Sequence, residues 1–200
     1  MSTPIHVHHF ERDLDWSTSP EQDRAWLAAY RRAWGSIDHI EQVRDRERQR
    51  RGIDREVYFG QAAHVSVEEK TIYGYPPCVP LEVYKQFRQP SWSHPDGVPQ
   101  ADWLAIRRAT TGRTYLYSTQ AWRRALERNL ASWMRRYAVR EVTSASSGHG
   151  RTWTVTVVCV PESVIERAVR ADERWDDDPE FTPLFATLED AIHSDLALNN

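Results

Sequence analysis

The sequence predicts an α/β fold, with one domain over residues 1–170 and an acidic C-terminal tail over 171–200. Three observations predict it. The 200 residues are 40% hydrophobic and 28% charged, enough for one domain with a sizeable core. Segments with helical spacing of apolar residues alternate with short segments of period two. Residues 153–160, Trp-Thr-Val-Thr-Val-Val-Cys-Val, form the near-continuous apolar run of a strand buried on both faces.

Composition excludes several classes. No apolar run has the length a membrane-spanning helix needs, so no membrane partner is expected. Residues 1–10 lack the basic start and apolar stretch of a signal peptide. The two cysteines, Cys78 and Cys159, are far apart and in no metal-binding spacing. A reducing, cytoplasmic location is therefore expected, without a disulfide framework. The net charge of −3 is uneven: from Ala171 onward there are nine acidic residues and one arginine, which leaves the first 170 residues at +5. A mildly basic body fits a polyanionic partner. Lysine is scarce, with Lys70 and Lys85 the only two among 26 basic residues.

The elements follow in order. His6, His8 and His9 lie in an N-terminal segment read as polar chain or edge strand. Ser19 and Pro20 open a helix over about 20–34, with Trp26, Leu27, Tyr30, Ala33 and Trp34 on one stripe and Gly35 as its stop. Residues 36–51 read as a second, more polar helix carrying Glu41, Gln49, Arg50 and Arg51. A hairpin is expected over 49–70, and Leu81-Glu82-Val83-Tyr84 as a third strand. Residues 89–100 read as a long loop, in which Trp92 is open to a role in base stacking. Strands are expected near 102–106, 113–117 and 139–143, and a helix over 119–136 with Arg123 and Arg124 on its polar parts. A Ser/Gly loop over 144–150, the 153–160 strand and a helix through about 170 complete the body.

The hairpin organises the chemistry. Ile53, Val57 and Phe59 share one face of its first strand, and Asp54, Glu56 and Tyr58 the other. On the second strand Val65 and Val67 share a face, and Ser66, Glu68 and Lys70 the opposite one. A three-residue loop at Gly60-Gln61-Ala62 pairs Val57 with Val65 and sets Asp54 opposite Glu68. The register that matches the apolar residues thus gathers an Asp, a Glu and a Lys. Mg²⁺ takes hard oxygen ligands and usually only one or two carboxylates. Asp54, Glu68 and the Glu69 backbone carbonyl could supply them, with Mn²⁺ as substitute. Lys70 could orient a water or stabilise phosphate charge.

A helix, a strand with Gly-Ile-Asp, a strand with Val-Glu-Glu-Lys, then Leu-Glu resembles the PD-(D/E)XK nuclease superfamily, the restriction-endonuclease-like fold. The likeness is closer to its small phage and prophage proteins, which pair Gln-x-x-Gly-Ile-Asp with an acidic-x-Lys strand, here 49–54 and 68–70. It spans about residues 10–135, and Ile53 stands where the superfamily has Pro. It implies a mixed central sheet flanked by helices, with Asp54 and Glu68 as metal ligands and Lys70 as catalytic lysine. Gln49 and Glu82 would be auxiliary, with Glu41 a further candidate carboxylate. The implied activity is Mg²⁺-dependent phosphodiester hydrolysis, on DNA first, in a phage, prophage or defence setting. Arg50, Arg51, Arg55, Arg123 and Arg124 are the expected nucleic-acid contacts, and a homodimer is open. Two rivals stand beside this reading: an inactive binding protein that keeps the nuclease fold, and a metal hydrolase using His6, His8 and His9.

Overall fold

Helix α1 (Pro20–Trp34) begins where the sequence signals it. Ser19 Oγ accepts from the Gln22 N–H at 3.3 Å, Pro20 takes the first turn, and Glu21 and Asp23 face the positive end of the helix dipole. At the other end Gly35 adopts φ 73° and donates its N–H to Arg31 O at 2.9 Å. This computed structural model describes residues 19–59, 63–72, 78–145 and 152–173. The architecture is mixed α/β, with two sheets and four helices among the described residues.

The single helix expected over 36–51 is instead a strand and a short helix. β1 (His39–Gln42) pairs antiparallel with β2 (Arg55–Phe59), and α2 (Arg46–Arg50) is capped by Asp45 Oδ1 on the Arg48 N–H at 2.8 Å. Ile37 and Val43 bury at the two ends of β1, so pairing along β2 outweighs a weak helical stripe. β3 (Ala63–Ile72) then pairs with β2 in the expected register, Val57 opposite Val65 and Arg55 opposite Val67. The loop at 60–62 lies outside the described residues.

The third strand is the larger correction. β4 (Cys78–Lys85) does not join the hairpin's sheet. It leaves for a second, four-stranded sheet in the order β5-β4-β9-β8, with β5 (Gln89–Pro90), β8 (Val139–Ala145) and β9 (Thr152–Pro161). Its buried residues Val79, Leu81 and Val83 belong to the core shared with β9 and the helices α3 (Thr119–Arg136) and α4 (Glu162–Glu173). The neighbour of β3 is β6 (Trp103–Arg108), which runs parallel to it, and β7 (Thr114–Ser118) closes a five-stranded sheet in the order β1-β2-β3-β6-β7.

Alternation along these strands splits the sheet into two faces. Val57, Val67, Ala105 and Leu116 pack against Trp26, Tyr30 and Ala33 of α1. Leu104, Ile106, Tyr115 and Tyr117 face the opposite way, into the core with α3, α4 and the second sheet. Arg108 fastens the layers: its Nε donates to Glu162 Oε1 at 2.7 Å, its guanidinium reaches Cys78 O at 3.1 Å, and Tyr115 donates to Glu162 Oε2 at 3.0 Å. Among the described residues no helix is long and apolar enough to cross a membrane.

Candidate functional site

Asp54 is the last residue before β2. Its N–H donates to Val67 O at 2.9 Å, and its Oδ2 accepts from the Glu69 N–H at 2.8 Å. The two bonds pin its carboxylate against β3. Glu68 and Lys70 point to the same side, away from α1, because they alternate with Val67 and Glu69. Lys70 Nζ pairs with Glu68 Oε1. Asp54 is near enough to Glu68 to act on its charge. The structure therefore brings Asp54, Glu68 and Lys70 together, and sets the Glu69 backbone at the Asp54 carboxylate.

The electrostatics of this trio follow from burial. Glu68 is 6% exposed, and its Oε2 is buried without a hydrogen-bond donor. Burial pushes the Glu68 carboxyl up to about 7; Lys70 opposes this and Asp54 adds to it. Burial alone would lower Lys70, but the Glu68 and Asp54 carboxylates outweigh it and hold the ammonium above its ordinary value.

The α1 face of the same strands carries a second ionic group. Tyr30 OH and Arg55 Nε both donate to Glu69 Oε1 at 2.6 Å, and the Arg55 guanidinium reaches Asp23 Oδ1 at 2.5 Å. Arg55 is 3% exposed. The expectation that it contacts nucleic acid is thereby corrected: it shares a face with Val57 and lies under α1. Period two counted from Asp54 was the signal. Burial pushes Glu69 up to about 7 against the pull of Arg55.

The supporting residues divide. Glu82 lies on the opposite sheet, yet is near enough to act on the charge of Lys70. Gln49 Nε2 donates to Val43 O at 2.8 Å, bracing the turn that leads to Asp54. Glu41 accepts from Tyr58 OH at 3.3 Å, leaning along β2 toward Tyr58 rather than Asp54. Glu56, between Asp54 and Tyr58 on the same face, is satisfied by Arg48 and by His64 Nε2 at 3.0 Å. Arg50 and Arg51 are exposed beside the turn, Arg51 pairing with Glu47; Arg123 is exposed and Arg124 half-buried on α3. Trp92 is 8% exposed and stacks on Trp122 at 6.0 Å, so a core role replaces base stacking. His6, His8, His9 and residues 174–200 lie outside the described residues.

Gly52 and Pro99, to which the sequence assigns no role, shape the site. Gly52 has φ 75°, and a Cβ there would stand 2.6 Å from Pro99 Cβ and 3.2 Å from Glu68 Oε2. The Gln100 N–H donates to Arg51 O at 2.8 Å, which holds the 97–100 segment over the turn. A Gly before Ile-Asp was visible in the sequence; that Pro99 would cover it was not, since the contact spans 47 positions.

The donor chemistry here is that of hard oxygens, the kind a divalent cation takes. The undonated Glu68 Oε2 is an oxygen awaiting a partner, and Pro99 fills the space that a side chain at Gly52 would take beside it. Among the described residues no group of three or more His, Cys, Asp or Glu is placed to hold a metal ion. A cation here would rest on two carboxylates, a backbone oxygen and water, the set Mg²⁺ tolerates. No family model, curated protein or solved structure matches the chain.

Proposed function

We propose that this chain is a Mg²⁺-dependent nuclease of the PD-(D/E)XK type, with a restriction-endonuclease-like core, hydrolysing phosphodiester bonds of DNA. The observation that carries the reading is the meeting of Asp54, Glu68 and Lys70 on one sheet face, with a buried Glu68 oxygen that no donor satisfies. The mixed sheet supports it: β1, β2 and β3 are antiparallel, β3 takes a parallel neighbour, and α1 covers the other face.

When bound, Mg²⁺ supplies polarisation of the scissile phosphate and of the attacking water. Asp54 and Glu68 would hold it, Asp54 already oriented by the Glu69 N–H. Lys70 neutralises Glu68 in the absence of substrate. The Lys70 ammonium would meet the charge that develops on the phosphate oxygens. Arg50, Arg51, Arg123 and Arg124 are the candidates to hold the backbone. A phage, prophage or defence role and a cytoplasmic setting extend this proposal.

A second reading, an inactive protein that keeps the fold for binding, draws on the Lys70–Glu68 pair, which satisfies the lysine without any substrate. Incubation of plasmid and single-stranded DNA with Mg²⁺, Mn²⁺ or EDTA separates the two. The nuclease reading expects metal-dependent cleavage by the wild type, abolished by Asp54→Ala and Lys70→Ala. Folded wild-type protein that cleaves neither DNA nor RNA with either metal would leave the binding reading in its place.

A further inference from the structure

The turn between β4 and β5 breaks a local rule. Phe87 (φ 61°, ψ 27°) and Arg88 (φ 58°) are consecutive non-glycine residues in the left-handed region. A hairpin turn with positive φ at both central residues ordinarily takes Asn-Gly or Asp-Gly, and an L side chain is strained there. Phe87 gains no burial in exchange: it is 87% exposed, whereas the next exposed large hydrophobic among the described residues, Val139, is 41% exposed. Neither packing nor turn chemistry accounts for this ring.

Its surroundings are cationic. Lys85, one of the chain's two lysines, and Arg88 flank it. Among the described residues neither enters an ion pair.

Both arms of the hairpin lead back to the Asp54–Glu68–Lys70 cluster. The outgoing arm carries Glu82, the carboxylate that acts on Lys70. The returning arm is fixed by the Ser91 N–H on Val83 O at 2.9 Å and the Ser93 N–H on Glu82 O at 3.1 Å. It is stiffened where Gly97 packs on the Ser91 carbonyl, an oxygen that a Cβ at Gly97 would approach to 2.1 Å. It ends at Pro99, against Gly52 and beside Glu68 Oε2. From Glu82 to Phe87 the strand spans at most ~17 Å, at ~3.4 Å per residue. The tip thus stands at the end of a hairpin whose two arms pass the site at Glu82 and Pro99.

We propose that Phe87 is a wedge that enters between adjacent bases of double-stranded DNA, with Lys85 and Arg88 on the phosphates flanking the opened step. This rests on the nuclease reading and adds how the substrate is held. An apolar ring that unstacks a step and paired cations for the backbone suit a polyanion with stacked π-faces. The strain at positions 87 and 88 then presents the ring outward.

The test uses the full chain with Ca²⁺ in place of Mg²⁺ and a duplex carrying 2-aminopurine, whose fluorescence rises on unstacking. Wild type should bind with a rise in fluorescence. Phe87→Ala should bind roughly ten- to a hundredfold more weakly, with no rise, and Phe87→Trp should retain both. Phe87→Asn relaxes the backbone, so it should lose affinity while melting no lower than wild type. Wild-type affinity and fluorescence in Phe87→Ala would overturn the wedge. So would a fall in melting temperature of Phe87→Asn alongside its lost affinity, or self-association that Phe87→Ala abolishes while DNA binding stays. If wild type binds no DNA, the reading of DNA as substrate falls and the wedge with it; if it binds and cleaves DNA and the Phe87 variants match it, only the wedge falls.

Discussion

Glu68 shows how much a single side chain can carry. Its Oε1 is paired with Lys70, its Oε2 is buried and undonated, and burial holds its carboxyl near 7 against an ordinary 4.5. Glu69, on the other face, is held near 7 by burial as well. A carboxyl raised on folding binds its proton more tightly in the native chain. Its contribution to stability is complete below about 4.5 and is lost as pH rises through about 7. Metal-free protein should therefore lose melting temperature from about pH 5 to about pH 8, and Mg²⁺ should restore most at the high end, where Glu68 is ionised and can ligate. A melting temperature that climbs through this window in EDTA would contradict the assignment. At Gly52, Ala should cost about 1–2 kcal/mol from φ 75° alone, before the clash of its Cβ with Pro99. Denaturant melts of Gly52→Ala measure this, and unchanged stability would mean that Pro99 is not seated there.

The β2–β3 hairpin was legible in the sequence because two patterns agree on one register. Matching Val57 to Val65 also matches Asp54 to Glu68, and a slip by one residue breaks both. The same alternation placed Arg55 under α1, but an arginine beside Arg50 and Arg51 reads as surface when only the charge run is counted. Its partners, Asp23 and Glu69, are 32 and 14 positions away, so no local signal announces them. Removing one partner of such a buried group leaves an uncompensated charge, so Arg55→Ala should cost about 3–5 kcal/mol. Tyr30→Phe, which removes only a hydroxyl donor from Glu69, should cost about 1–2 kcal/mol. Urea unfolding checks both, and a stable Arg55→Ala with weakened DNA binding would return Arg55 to the surface. The 36–51 segment misleads for a related reason: Ile37, Ile40 and Val43 fit a helical stripe, and only pairing with β2 makes Ile40 a strand residue.

At the scale of the molecule, local pattern identified β4 as a strand and said nothing of which sheet it joins. Topology was decided by distant partners: β9 for β4, β6 for β3. Arg108 and Glu162 record that arrangement, since they tie β6 to α4 and, through Cys78 O, to β4. Glu162→Ala should thus loosen both layers at once, costing about 3–5 kcal/mol in a single cooperative transition. Two separate transitions would show that the sheets melt independently. The two-layer arrangement sets Pro99 against Gly52 near Glu68 and brings Glu82 near enough to act on the charge of Lys70. The central claim, that Asp54 and Glu68 together hold one divalent cation, is tested most directly by calorimetric titration of Mn²⁺ into wild type, Asp54→Asn and Glu68→Gln at about pH 8. One site in the wild type, lost in both variants while they remain folded, is the expected result; equal Mn²⁺ binding by all three would contradict it.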